Sequence, residues 1–109
     1  MNKWTFPTQI YAGPDSLNRL TAFSNESILI ICDPFLKDSP SLTYVMGLMD
    51  SKNKVTIYTD VVPDPPITHV VKGIEFMEGI KPTVIIAIGG GSCIDMSKGI
   101  AYFGRKLKH

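Results

Sequence analysis

Three short runs rich in β-branched residues carry the strongest periodicity in the chain: Ser27 to Asp33, Lys54 to Thr59, and Thr83 to Gly89. The first and third are apolar on both faces, the pattern of strands in a parallel sheet covered by helices on each side. Helix-length segments lie between and after them. Thr68 is predicted to cap a helix whose Val70, Val71, Ile74 and Met77 recur at helical spacing and which ends near Lys81, before Pro82. Ser39, with Pro40 at the first helical position, opens another whose Leu42, Val45, Met46 and Met49 form a stripe read as core packing. Trp4 to Tyr11 reads as an extended segment, with Pro7 marking an edge or irregular strand. Gly13-Pro14-Asp15 opens a short helix running through Leu17, Leu20 and Phe23. Strand and helix alternate four times, which predicts an α/β fold with a doubly wound, mostly parallel sheet and ligands at the carboxyl ends of its strands. No internal repeat or second-domain linker interrupts the pattern.

Composition narrows the function classes. Of 109 residues, 44% are hydrophobic and 19% charged, with eleven Lys and Arg against ten Asp and Glu. Balanced charge without a long basic run gives no electrostatic footprint for nucleic acid or anionic lipid. The apolar stretches fall far short of the ~20 residues a bilayer requires, and the first nine residues lack a signal-peptide core, so the expectation is a cytoplasmic protein. Cys32 and Cys93 lie far apart with no clustered His, which suggests neither a zinc site nor a disulfide framework.

The sharpest chemical feature is Gly89-Gly90-Gly91-Ser92, set between an all-apolar strand and a helix whose apolar face is Cys93, Met96, Ile100 and Phe103. Glycines let backbone approach a ligand closely, and the free amides and dipole at a helix start favour an anion such as a pyrophosphate. The same residues also suit a tight turn with Ser92 as N-cap and Asp95 as its capping-box partner. Asp95 and Lys98, one turn apart, form either a surface ion pair or part of the ligand site. Asp33 ends the first buried strand, and Pro34 pushes it towards extended backbone. A carboxylate there can accept from ribose hydroxyls and repels a 2'-phosphate, which favours NAD over NADP. Asp-Pro is also a common turn. The stiff Val62-Pro63-Asp64-Pro65-Pro66 connection follows the second run, and lining a cofactor cleft or simply turning the chain would look the same. Cys93 at a helix start is either a reactive thiol or a small packing residue, the second being commoner. Cys32 reads as core. Neither His69 nor His109 has a partner pattern.

Gly89 to Lys98, read as Gly-Gly-Gly-Ser-x-x-Asp-x-x-Lys, resembles the signature of the iron-containing alcohol dehydrogenases. Other matching features are Tyr11-Ala12-Gly13-Pro14, the strand ending in Cys32-Asp33, and the Pro63-Asp64-Pro65-Pro66 turn. The resemblance spans essentially the whole chain and, more narrowly, is to the propanol or ethanolamine-utilisation type found with bacterial microcompartments. It implies a Rossmann-like cofactor domain, incomplete here, in which Gly90, Gly91, Ser92 and Asp95 contact the dinucleotide beside Gly89, and Asp33 sits by the adenosine ribose. Lys98 matches the signature as well. It further implies a homodimer paired through the amino-terminal strand. Asp64 and Pro66 depart from the family, which often has Asn and Thr at those positions. In the family a second, helical domain supplies one Asp and three His to an iron that polarises the alcohol oxygen, and none of those ligands occurs here. The chain is therefore expected to be an amino-terminal fragment, inactive alone, of an NAD-dependent enzyme acting on alcohols and aldehydes. The competing readings are a relative of glycerol dehydrogenase or dehydroquinate synthase, and a non-catalytic nucleotide-binding or assembly module.

Overall fold

The structure, a computed structural model, describes residues 7–12 and 19–108. Four parallel strands, β1 (Thr8–Ala12), β2 (Ser27–Cys32), β3 (Lys54–Tyr58) and β4 (Val84–Ile88), form one sheet in the order β1-β4-β2-β3. Ile28, Leu29 and Ile30 of β2 pair with Val84, Ile85 and Ile86 of β4 on one side and with Val55, Thr56 and Ile57 of β3 on the other. β1 joins the free side of β4, with Thr8 opposite Val84. Central β2 is thus flanked by backbone on both edges and by helices on both faces, which is why its six residues tolerate no polar alternation after Ser27.

The pleat sends alternate residues of β2 into two separate cores. Ile28, Ile30 and Cys32 pack with Ile10, Leu20, Val84 and Ile86 against α1 (Pro40–Gly47), whose Leu42 and Val45 are buried together with Met49 just beyond it. Leu29 and Ile31 face the opposite layer, made by Val70, Ile74 and Met77 of α2 (Ile67–Ile80) and Met96 and Ile100 of α3 (Gly91–Lys108). The result is three layers with the sheet in the middle.

Helix starts follow local chemistry. Ser39 caps α1 as its sequence predicts: its hydroxyl accepts from Leu42 N–H at 3.2 Å, and Pro40 takes the first helical position. α2 differs from expectation by two residues. Its N-cap is Pro66, without a side-chain cap bond, and Thr68 lies inside the helix. Pro66 lacks the N–H a cap would otherwise leave unpaired, and its extended backbone (ψ 157°) delivers the chain into the helix unaided. α2 stops where expected, at Lys81, whose backbone turns left-handed (φ 54°) while its N–H bonds Met77 O at 2.8 Å.

Two side chains leave their predicted faces. Met46 and Phe103 are each 38% exposed; Phe103 instead meets Tyr102 edge to face at 5.0 Å. Each sits at the margin of a stripe, where helical spacing continues but the underlying layer ends. Of the predicted first helix, the opening at Gly13-Pro14-Asp15 and Leu17 lies outside the described residues. Residues 19–22 form a 3-10 turn that buries Leu20, and Phe23 packs beside it. Trp4 likewise lies outside, while Pro7 immediately precedes the edge strand β1.

The amino ends of the strands are tied by polar groups the hydrophobic pattern does not reveal. Asn53 accepts from Glu26 N–H at 2.9 Å and donates to Phe23 O at 3.0 Å. Thr83 donates its hydroxyl to Glu26 at 2.6 Å and accepts from Ser27 N–H at 3.0 Å. These bonds fix the starts of β2, β3 and β4 level with one another, so their carboxyl ends also finish level.

Candidate functional site

From β2 the chain moves one way along the sheet to β3; from β3 it crosses back over β2 to β4. The neighbours β2 and β4 therefore send their following segments to opposite faces, α1 to one and α3 to the other. Such a switch point opens a crevice at the carboxyl ends of the two strands, where open α/β sheets bind ligands. Asp33 leaves β2 at this place and Gly89 leaves β4, so the sheet brings together two sequence-predicted residues 56 positions apart in number.

Asp33 is extended (φ −64°, ψ 146°), as the following proline demands, and precedes a 3-10 turn at Pro34–Leu36. Its Oδ2 accepts from Gly90 N–H at 3.4 Å. The three glycines divide their roles. Gly89 is required by the fold: its φ is 129°, and a Cβ there would stand 2.7 Å from Asp33 Oδ2, 3.1 Å from Cys93 Sγ and 3.3 Å from Leu36 Cδ1. Gly90 and Gly91 are not. Neither has a positive φ, and a Cβ on either would meet nothing within 4 Å. Neither backbone conformation nor internal packing asks for glycine at those two positions, yet both are bare at the start of an 18-residue helix. Backbone left uncovered at a helix N-terminus presents its amides outward, which suits an anionic group.

The helix begins one residue earlier than a Ser92 cap requires. α3 starts at Gly91, so Ser92 lies in its first turn and does not serve as N-cap, and the predicted capping box with Asp95 does not form. Asp95 is exposed, and among the described residues no ion pair joins it to Lys98. Lys98 lies two turns along α3 with Nζ 6.0 Å from the centre of the Tyr11 ring on β1. Below it, Gln9 of β1 donates to Ser97 O at 3.1 Å, which fastens α3 to the edge strand.

Cys93 is fully buried, and burial together with the adjoining Asp33 carboxylate pushes its thiol up to about 12. Of the two roles left open by its sequence position, a wholly buried thiol with a raised pKa suits the packing residue. Burial first, then the charge of Asp33, also raises Cys32. His69 has a partner that its sequence position did not betray: Nε2 lies 2.9 Å from Asp60 O and 3.2 Å from Asp60 Oδ1. It closes the connection between β3 and α2. Within that connection Asp64 is left-handed (φ 49°), a conformation Asp and Asn reach more readily than other side chains. His109 lies outside the described residues.

Among the described residues, no three His, Cys, Asp or Glu side chains converge to hold a metal ion, and no helix is long and apolar enough to cross a membrane.

A parallel sheet with a glycine loop at its switch point has the architecture of a dinucleotide-binding domain. Comparison with known proteins narrows this: residues 7–108 match the model of the iron-containing alcohol dehydrogenases, and the chain belongs to that family. It is 39% identical over 106 residues to the 1-propanol dehydrogenase PduQ of Salmonella typhimurium, covering 97% of this chain and 29% of that protein. It is 34% identical over 105 residues to the NADPH-dependent butanol dehydrogenase of Clostridium saccharobutylicum, covering 94% and 27%. The fold is similar to that of 1,3-propanediol oxidoreductase, with a TM-score of 0.62 at 22% identity over 92% of this chain and 28% of the other. It is also similar to the NAD+ complex of sulfoacetaldehyde reductase from Bifidobacterium kashiwanohense, with a TM-score of 0.64 at 21% identity over 90% and 27%. The chain spans under a third of the length of these relatives.

Proposed function

We propose that the chain is the amino-terminal part of the cofactor domain of an NAD-dependent, iron-containing alcohol dehydrogenase, the whole enzyme interconverting alcohols and aldehydes. The observation that carries this reading is the pair Gly90 and Gly91, bare without any need inside the chain, at the start of α3 and beside the Asp33 carboxylate. In it, the bare backbone of Gly90 and the amides of Gly91 and Ser92 face the pyrophosphate, Gly89 provides the turn, and Asp33 accepts from the adenosine ribose. Asp95 and Lys98 belong to the same contact set through the family signature. When bound, NAD supplies the hydride acceptor; what these residues contribute is binding and orientation. Similarity to PduQ favours a short primary alcohol, and favours an alcohol dehydrogenase over a glycerol dehydrogenase or dehydroquinate synthase relative.

The described residues do not form a metal site, so no step is assigned to iron and the chain alone is expected to be inactive. A homodimer through the amino-terminal strand and a cytoplasmic setting complete the proposal; β1 supports the first by lying at the end of the sheet.

Calorimetric titration with NAD and NADP tests the reading against a Gly91→Val variant. Because a Cβ at 91 meets nothing within 4 Å, the variant should melt within a degree or two of the parent yet bind NAD at least tenfold more weakly. The parent should prefer NAD and show no alcohol turnover with added ferrous iron. Equal NAD binding by parent and variant would remove the glycine loop from the site. Turnover by the chain alone would show that it carries the catalytic centre.

A further inference from the structure

A phenylalanine ring left in water is unusual where the chain around it is firmly held. Phe35 is 78% exposed, more than any other large hydrophobic side chain among the described residues. It sits in the 3-10 turn Pro34–Leu36, two residues past Asp33 at the crevice. Four hydrogen bonds hold that turn: Leu36 N–H donates to Asp33 O at 2.9 Å, Lys37 N–H to Pro34 O at 3.2 Å, and the N–H and hydroxyl of Ser39 to Leu36 O at 3.0 and 2.8 Å. Pro34 fixes its own φ at the start. Leu36 anchors the turn from within, packing on the core that faces α1 and standing 3.3 Å from the position of a Cβ on Gly89. With three residues per turn, the side chain of Phe35 leaves about a third of a revolution away from Leu36, into solvent. The turn therefore buries the smaller of its two apolar side chains beyond Pro34 and presents the larger one on a rigid support.

We propose that Phe35 is the stacking platform for the adenine base of the dinucleotide. This rests on the nucleotide-binding reading given above and adds what recognises the base, where that reading assigns only the pyrophosphate and the ribose. A dinucleotide with its pyrophosphate at Gly91 and Ser92 and its ribose at Asp33 runs from the end of β4 across the end of β2. The base is joined to the ribose carbon next to the one bearing the 2'-hydroxyl, so it comes to rest beside the residues that follow Asp33. At a rise of ~2 Å per residue, Phe35 lies roughly 4 Å further along the turn than Asp33. A flat base laid on a phenyl ring removes apolar surface from water and asks no hydrogen bond of it. Because the turn is already fixed, little ordering of backbone opposes that contact. The ring favours ligands that carry a base next to this ribose, and nicotinamide mononucleotide, which lacks the adenosine half, gains nothing from it.

The test titrates the chain and its Phe35→Ala variant with NAD, ADP and nicotinamide mononucleotide. Since the ring lies outside the core, the alanine variant should keep the thermal midpoint of the parent. It should bind NAD and ADP each about fivefold or more weakly, the loss expected of one base–aromatic stack, with no change for the mononucleotide. Phe35→Tyr keeps the ring and should bind as the parent does, whereas Phe35→Leu keeps apolar bulk without a ring and should resemble the alanine variant. Fluorescence provides a second readout. In a chain carrying Trp4→Phe and Phe35→Trp the only indole stands at position 35, and ADP should quench it while the mononucleotide does not. If the parent binds NAD and Phe35→Ala binds NAD and ADP equally well, the stacking role is overturned while the binding reading stands. An indole left unquenched at saturating ADP overturns it as well. If the parent binds neither NAD nor ADP, the binding reading fails and this inference with it.

Discussion

Lys81 shows how far a single residue can be judged from its backbone. It ends α2 in a left-handed conformation (φ 54°) that side chains with a Cβ adopt at a cost. Lys81→Gly should therefore raise stability by about 0.5–1 kcal/mol, seen as a higher thermal midpoint; no rise would mean that the lysine side chain contributes as much as its backbone loses. Cys93 yields a prediction in pH. Its thiol is raised in the folded state, so its contribution to stability is fully present below the ordinary thiol range and is lost as pH climbs from there towards about 12. Denaturant titrations should show stability falling over that alkaline interval, less steeply in Cys93→Ser. Neither cysteine should react with a disulfide reagent at neutral pH before unfolding. The placement of Asp33 and the glycines at the carboxyl ends of β2 and β4 was legible because each closes an apolar run. Their division of labour was not: that Gly89 serves the fold while Gly90 and Gly91 do not depends on a φ value and on atoms contributed by Asp33 and Leu36.

At the scale of elements, hydrophobic spacing located β2, β3, β4 and the three α-helices but misjudged where faces end. Met46 and Phe103 keep the period of their helices and still face solvent, since a period reports which residues share a side and not how far the neighbouring layer extends. Cap chemistry decided the rest. Ser39 was legible because its hydroxyl does the capping, whereas Thr68 and Ser92 were misplaced because α2 and α3 begin on residues without a capping side chain. Close contact between α2 and α3 was not legible at all. A Cβ at Gly73 would lie 2.9 Å from Ile100 Cδ1 and 3.3 Å from Met96 Cε, while one at Gly79, on the same helix, would meet nothing. Gly79→Ala should stabilise by about 0.5–1 kcal/mol through helix propensity, whereas Gly73→Val should cost about 1–3 kcal/mol by forcing the helices apart. Equal effects in chemical denaturation would show that α2 and α3 do not pack as closely as these distances indicate.

For the whole molecule, burial on both faces of two runs sufficed to predict a parallel sheet with helices on either side. Strand order did not follow, because nothing local records that β4 inserts between β1 and β2. The meeting of Asp33 with Cys93 was hidden for the same reason. If the proposed dimer forms, sedimentation of the chain should give the mass of two copies, and a single-copy mass would refute it. The order of the strands also governs the timing of assembly. Of the four described strands β1 is made first, yet its neighbour in the sheet, β4, is made after the other two. On a ribosome adding ~5–20 residues per second, β1 waits several seconds with both edges open, while β2 and β3 can already pair. During that interval the nascent chain has a half-sheet without a crevice, and an unclaimed strand that chaperones or a second nascent chain can reach. The arrival of β4 closes both gaps in one event: it fills the sheet and carries the glycine loop to Asp33.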